Sequence, residues 1–232
     1  MSGLVVAIDG PAASGKSTTA REAARRLGYC HMNSGLLYRA IAWTALRDGW
    51  IDDERRFDTE LGRLRLAMLP VPPEFTVQVQ GEVAGPVLAS AETARRASRV
   101  AALPKVRDRV LQVLRGAGEG GGVVCDGRDI GTVVFPTAEL KIFLVASPEE
   151  RARRRVLERG GDPQGRELEQ EATQLRERDA RDASRSIAPL LPAADAIELD
   201  TTAMRPDQVV DTIVKLAIDR GARPVDDGDD SA

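Results

Sequence analysis

A continuous apolar run, Leu4-Val5-Val6-Ala7-Ile8, is followed almost at once by Gly10-Pro11-Ala12-Ala13-Ser14-Gly15-Lys16-Ser17. An apolar run without polar alternation predicts a strand buried on both faces, as in a parallel sheet. The segment after it fits the pattern G-x-x-x-x-G-K-[ST], and residues 16–27 predict a helix ended by Gly28. Strand, glycine loop and helix in this order form the setting in which such a loop cradles phosphate. Glycines let the backbone curl so that successive N–H groups point at phosphate oxygens. The helix then aims its positive end at the anion. Lys16 would bridge the terminal phosphates, and the Ser17 hydroxyl would be a ligand of Mg²⁺. The predicted triphosphate site is thus Gly10, Pro11, Ala12, Ala13, Ser14, Gly15, Lys16 and Ser17, with Thr18 beside them. The loop alone allows ATP or GTP. With no N-K-x-D and no L-S-G-G-Q segment, GTPase and transporter readings lose weight.

The rest of the chain repeats the strand–helix alternation. Residues 29–32, 123–125, 140–145 and 196–199 predict four more short strands. Ser34 is a candidate cap for a helix carrying Leu37, Ile41 and Ala45 and ending near Gly49. Thr76-Val77-Gln78-Val79-Gln80 alternates with period two before a Gly81-Glu82 turn, while Pro70, Pro72 and Pro73 bar a helix. A small antiparallel insert is expected there. Residues 91–115 predict helix with a break or new start at Pro104, and residues 116–122 a surface loop. Pro148 opens an arginine-rich helix, and residues 151–185 predict two polar helices joined near Gly160-Gly161-Asp162-Pro163. Residues 205–220 predict the last helix, with Val209, Ile213 and Leu216 on one face. The fold class expected is α/β: a phosphate-loop domain with a five-stranded parallel sheet flanked by helices, interrupted by two inserts.

Composition removes other classes. At 232 residues the chain is one large domain or one domain with inserts, at roughly 150 residues per domain. It is 42% hydrophobic, enough for a core. Lys+Arg of 33 against Asp+Glu of 36 gives −3, the wrong sign for coating nucleic acid or an acidic membrane. His31 is the one histidine, which removes multi-histidine metal sites and disfavours a Ser-His-Asp hydrolase. Cys30 and Cys125 cannot make a disulfide framework, so a reducing, cytoplasmic setting is the simplest expectation. No apolar run is long enough to span a membrane, and Met1-Ser2-Gly3 does not begin a signal peptide.

Three polar motifs follow predicted strands or close an insert: Asn33-Ser34-Gly35-Leu36-Leu37-Tyr38-Arg39, Asp126-Gly127-Arg128-Asp129-Ile130-Gly131-Thr132, and Arg176-Glu177-Arg178-Asp179-Ala180-Arg181-Asp182-Ala183-Ser184-Arg185. In open α/β sheets ligands bind beyond the carboxyl ends of strands, so Arg39, Arg128 and Asp129 should lie near the phosphate loop. With these motifs, Ala101-Ala102-Leu103-Pro104-Lys105-Val106-Arg107 and Ala188-Pro189-Leu190, the chain resembles the bacterial cytidylate kinases, which are nucleoside monophosphate kinases. The resemblance runs from residue 4 to residue 220. The β-containing insert also matches the bacterial form of that family.

The resemblance implies direct in-line phosphoryl transfer from ATP to CMP or dCMP with Mg²⁺, giving ADP and CDP or dCDP. Lys16, Arg39, Arg128, Arg178 and Arg185 are the implied catalytic cations. Ser34, Arg39 and Arg128 fall where the family holds the acceptor phosphate. Ser98, Arg107 and Asp129 fall where it reads cytosine. Arg178 and Asp182 match its sugar contacts, and Arg185 lines the CMP site. Arg154, with Arg151 and Arg155, lies in the implied lid over ATP. A different phosphate-loop kinase, acting on another monophosphate or a shikimate-like alcohol, is the alternative. One departure stands out: the family usually carries Asp where this chain has Asn33. The expected organisation is one kinase domain over residues 1–221, with its core in 1–59, 105–150 and 186–221. A monophosphate-binding insert spans about 60–104, a lid about 151–185, and an acidic disordered tail 222–232. Residues 226–230 of that tail read Asp-Asp-Gly-Asp-Asp. The chain is expected to act as a monomer on ATP and CMP or dCMP, with no nucleic-acid or membrane partner.

Overall fold

The computed structural model describes residues 3–223 apart from residue 164; the acidic segment from residue 224 onward lies outside the described residues. Strand β1 (Val5–Asp9) occupies the centre of the sheet, with parallel neighbours β6 (Val123–Gly127) and β7 (Leu140–Val145). Strand β2 (Cys30–Asn33) extends the sheet beyond β6, and β8 (Ile197–Asp200) extends it beyond β7. These five strands are all parallel, as the expected fold class requires.

The antiparallel insert is real but not separate. Strands β3 (Leu66–Val71), β4 (Glu74–Val79) and β5 (Glu82–Val83) form its hairpins. One parallel residue pair, His31 with Glu74, joins β4 to β2, so all eight strands make one sheet. The strand count therefore exceeds the expected five.

Helices cover both faces. Helix α1 (Lys16–Leu27) buries Thr19, Ala20, Ala23, Ala24 and Leu27, a helical stripe that packs with α8 (Pro206–Asp219). On the other face lie α2 (Gly35–Arg47), α4 (Ala91–Val100) and α5 (Pro104–Gly118), around Leu37, Ile41, Val106, Val110 and Leu114. Helices α6 (Pro148–Glu158) and α7 (Arg166–Ala183) pair as a hairpin whose small apolar cluster, Ala152, Ala172 and Leu175, reaches Ala12 of the phosphate loop. Among the described residues no helix is long and apolar enough to cross a membrane.

Three local expectations change. Helix α3 (Glu54–Arg63) had no counterpart in the sequence reading; Asp53 caps it by accepting from the N–H groups of Arg55 and Arg56. The expected loop at residues 116–122 begins later, because α5 runs to Gly118. A Cβ on Gly118 would lie 2.5 Å from the Phe135 ring, so a close helix contact keeps glycine there. Ser34 precedes α2 but makes no side-chain cap; its hydroxyl donates instead to the Asp126 carbonyl at 2.8 Å.

Candidate functional site

The phosphate loop joins β1 to α1 at the carboxyl edge of the sheet. Its backbone enters conformations that side chains resist: φ is +148° at Gly10, +59° at Ala13 and +90° at Gly15. A Cβ on Gly10 would sit 2.1 Å from the Leu144 carbonyl oxygen, so β7 itself requires glycine there. The Lys16 side chain is buried and turns back over the loop, donating to the Pro11 carbonyl at 2.5 Å and the Ser14 hydroxyl at 3.2 Å. Burial first, then the nearby Arg128 and Arg178 cations, hold the Lys16 ammonium well below the usual lysine range. A polyanion in the loop would reverse that balance.

Beside the loop, the Ser17 hydroxyl donates to Asp126 Oδ2 at 2.6 Å, and the Asn33 amide donates to Ser17 Oγ at 3.3 Å. Burial pushes the Asp126 carboxyl up. Hydrogen bonds from His31 and Ser17, with attraction to His31 and Lys16, bring it below the ordinary aspartate value. A hydroxyl and an ionised carboxylate meeting at a phosphate loop are the hard oxygen donors Mg²⁺ prefers. The residues present fit that ion, with Ser17 and Asp126 as the donors and Asn33 contributing no charge.

Asp9, at the end of β1, accepts from the N–H groups of Ile130 at 2.8 Å and Gly131 at 2.7 Å. It thereby fixes the turn that presents Arg128 and Asp129. Asp129 accepts from Arg107 Nη2 inside a buried pair, and Arg107 Nη1 donates to the Ala101 carbonyl at 3.1 Å. The Arg107 guanidinium stands 5.8 Å from the Tyr38 ring centroid, a cation–π approach. Ser98 lies one turn of α4 before Ala101, and its buried hydroxyl has no hydrogen-bond partner.

Asp182 is fully buried and accepts from Arg128 Nε at 2.9 Å and Arg185 Nη2 at 2.5 Å. Arg39 Nη1 donates to the Leu88 carbonyl at 3.4 Å. Arg178 Nε is buried without a hydrogen-bond partner among the described residues. Burial, and then repulsion from Arg128, Arg39 and Arg155 against the attraction of Asp182, pushes Arg178 down to about 10. Burial and the Arg155 charge likewise lower Arg39. Arg39, Arg128, Arg155, Arg178 and Lys16 therefore crowd one volume and repel one another, with Asp182 on Arg128 and Glu158 on Arg155 as counter-charges.

The arginines of α6 divide by their contacts. Arg154 stands beside Gly15, but its guanidinium already donates to Glu150 and to the Thr201 hydroxyl and carbonyl. Arg151 is buried and donates to the Ala12 and Ala146 carbonyls and to Asp179, so it braces the phosphate loop instead of reaching over it. Arg155 pairs with Glu158 at 2.7 Å. Thr18 is solvent-exposed on the first turn of α1.

Four site residues escaped the sequence reading as individuals: Asp9, Asp126, Asp179 and His31. Asp9 and Asp126 lie near strand ends, His31 lies within β2 and Asp179 on α7, and only the tertiary arrangement brings each to its partner. The Asp immediately before the glycine loop was the one available signal for Asp9.

The cytidylate kinase family model matches residues 6–219. A cytidylate kinase of Limosilactobacillus fermentum is 44% identical over 215 residues, covering 91% of this chain and 94% of its own. One from Pseudomonas aeruginosa is 44% identical over 222 residues, covering 93% and 96%. Among solved structures, an uncharacterized protein from Eubacterium ventriosum shares the fold at a TM-score of 0.51 and 13% identity, over 93% of this chain and 98% of that one.

Proposed function

Because the chain belongs to the cytidylate kinase family, which implies phosphoryl transfer from ATP to CMP, we propose that it uses Mg²⁺ and passes the phosphoryl group in line to CMP or dCMP. The observation that supports this reading is the crowding of the mutually repelling cations Arg39, Arg128, Arg178 and Lys16, with Arg178 Nε buried and lacking a partner among the described residues. Such a cluster is held for anions. Two phosphate-bearing substrates are the anions the fold can bring there, one from the glycine loop and one from the insert side.

The acceptor is itself a phosphate oxygen, ionised at neutral pH, so no general base has to remove a proton. The barrier is repulsion between two polyanions and the need to align them. Lys16 and the loop N–H groups hold the donor phosphates. Arg39 and Arg128 hold the acceptor phosphate, with the Ser34 hydroxyl nearby, Arg178 adds a further cation beside Arg128, and Arg185 lines the CMP site. Guanidinium groups suit the task because they stay charged and bind phosphate oxygens in pairs. Ser17 and Asp126 would hold Mg²⁺, whose chemistry is to neutralise charge on the donor phosphates. Each well-placed donor is worth about 3 kcal/mol when charge develops against it.

Asp182 would accept from the sugar, and Arg107, Asp129 and Ser98 would read the base edge. The insert at about 60–104 is the acceptor arm, and the segment at about 151–185 is the lid that excludes water. The reading includes a monomer working in the cytoplasm, consistent with two free cysteines.

An ADP-release assay across CMP, dCMP, UMP, AMP, GMP and shikimate tests it. CMP and dCMP should turn over with the highest kcat/KM and only with Mg²⁺ present. Preference for another acceptor, or metal-independent turnover, would overturn it.

A further inference from the structure

His31 is the one histidine in the chain, and no step above uses it. Its side chain is buried in β2, with Nε2 2.7 Å from Asp126 Oδ1. The other oxygen of that carboxylate, Oδ2, accepts from Ser17 at 2.6 Å. Strands β2 and β6 run parallel with Asn33 opposite Asp126, so the three side chains form one connected edge, His31–Asp126–Ser17, closed by Asn33 on Ser17.

We infer that His31 is a positioning residue for cation binding: by occupying Asp126 Oδ1 it leaves Oδ2 as the oxygen presented beside Ser17. The inference rests on the reading of Ser17 and Asp126 as the Mg²⁺ donors.

Three features carry it. A carboxylate rotates easily about its last bond, so two separate donors are needed to fix which oxygen faces the site. Partners that orient a metal-binding carboxylate commonly act from this outer position, and their loss costs about 10–100-fold in metal affinity or activity. Asn33 carries no charge, so Asp126 is left as the carboxylate on this edge, and its orientation decides what a cation meets.

Two variants of similar size separate reach from bulk. Glutamine places its amide nitrogen at the depth of histidine Nε2, whereas asparagine places its own at the depth of Nδ1 and falls short of Asp126. Calorimetric ATP affinity would be measured with Mg²⁺ and with chelator, alongside CMP affinity without metal and the Mg²⁺ concentration for half-maximal turnover. In His31→Asn the gain in ATP affinity from Mg²⁺ should shrink about 10-fold and the half-maximal Mg²⁺ concentration should rise by a similar factor. CMP affinity should hold within about twofold, and His31→Gln should stay within about threefold of the parent throughout. Equal behaviour of the two variants, a matching loss of CMP affinity, or failure of both to fold would make His31 a core residue and overturn the inference. Asp126→Asn separates the premises. If it leaves the Mg²⁺ effect intact, the metal reading fails; if it abolishes the effect while His31→Asn does not, the role of His31 alone fails.

Discussion

The Asp179 carboxylate accepts a hydrogen bond from the backbone N–H of Ala12 at 3.1 Å, across 167 positions of sequence. Its second oxygen accepts from Arg151, which in turn donates to the Ala12 carbonyl at 3.1 Å. The backbone N–H and C=O of one residue of the phosphate loop, Ala12, are thus held by a carboxylate from α7 and a guanidinium from α6. The α6–α7 hairpin is therefore mechanically tied to the phosphate loop. The tie also places an anion on a loop N–H, where a phosphate oxygen competes for the same donor.

Asp179→Ala should therefore have two effects. It leaves the buried Arg151 charge unpaired, which should cost roughly 2–4 kcal/mol of stability. It should also alter KM for ATP more than KM for CMP, because the loop is the element released. Denaturant unfolding and two-substrate kinetics check this. A stable variant with unchanged ATP kinetics would make the contact incidental.

For Lys16, the buried ammonium lies close to Arg128 and Arg178 before any anion arrives. Removing it should not harm the fold, since burial and like charge already oppose it. Lys16→Met should keep or raise the melting temperature while cutting turnover by about 100-fold or more. A large drop in melting temperature with turnover retained would contradict the phosphate role.

How much of this was legible in the sequence depends on distance along the chain. The glycine loop, the buried strands and the helix starts are local patterns, and they were readable because strand, loop and helix adjoin. The Arg107–Asp129, Asp9–Ile130 and His31–Asp126 contacts were not, because register between strands and, for Arg107, the packing of α5 decide them. A lone Asp at a strand end looks the same whether it holds a turn, a cation or water. Chain spacing alone offers Asp129 and Asp182 only near neighbours as partners. Asp182 does pair with Arg185 at i+3, but also with Arg128, 54 positions away. Asp129 pairs with Arg107, 22 positions away. Helix α3 was missed although Phe57 and Leu61 sit one turn apart behind an Asp cap; its charged composition hid a two-residue apolar stripe.

Asp9 yields a pH dependence. Burial pushes its carboxyl up to about 6, against the opposing hydrogen bonds from Gly131 and Ile130 and with added repulsion from Asp129. The folded chain thus holds this proton more tightly than the unfolded chain, whose value is 3.8. The resulting stabilisation is complete below about pH 4 and is lost as pH rises through about 6, a span of roughly 3 kcal/mol. Asp9→Asn should remove that slope. Unfolding free energies of both proteins from pH 4 to pH 7 check it, and parallel curves would refute the raised value.

The Arg107–Asp129 pair bears on how cytosine is told from uracil. Cytosine offers an amino donor at the position where uracil offers a carbonyl, and a carboxylate accepts from the former and repels the latter. In the structure Asp129 spends Oδ2 on Arg107, which leaves Oδ1 for the base and orients it. Arg107 and the unpartnered Ser98 hydroxyl can meet the acceptor edge of cytosine, whereas uracil carries a proton on N3. A site built of such groups can reject the wrong base by about 10⁴-fold, because its polar atoms are stranded against it. Asp129→Ala should therefore lower kcat/KM for CMP strongly and for UMP only slightly, shrinking the preference. If Asp129 served only to neutralise buried Arg107, its loss would destabilise the insert contact and depress both substrates alike. Measuring kcat/KM for CMP and UMP in the parent and in Asp129→Ala distinguishes the two, since only base reading changes the ratio.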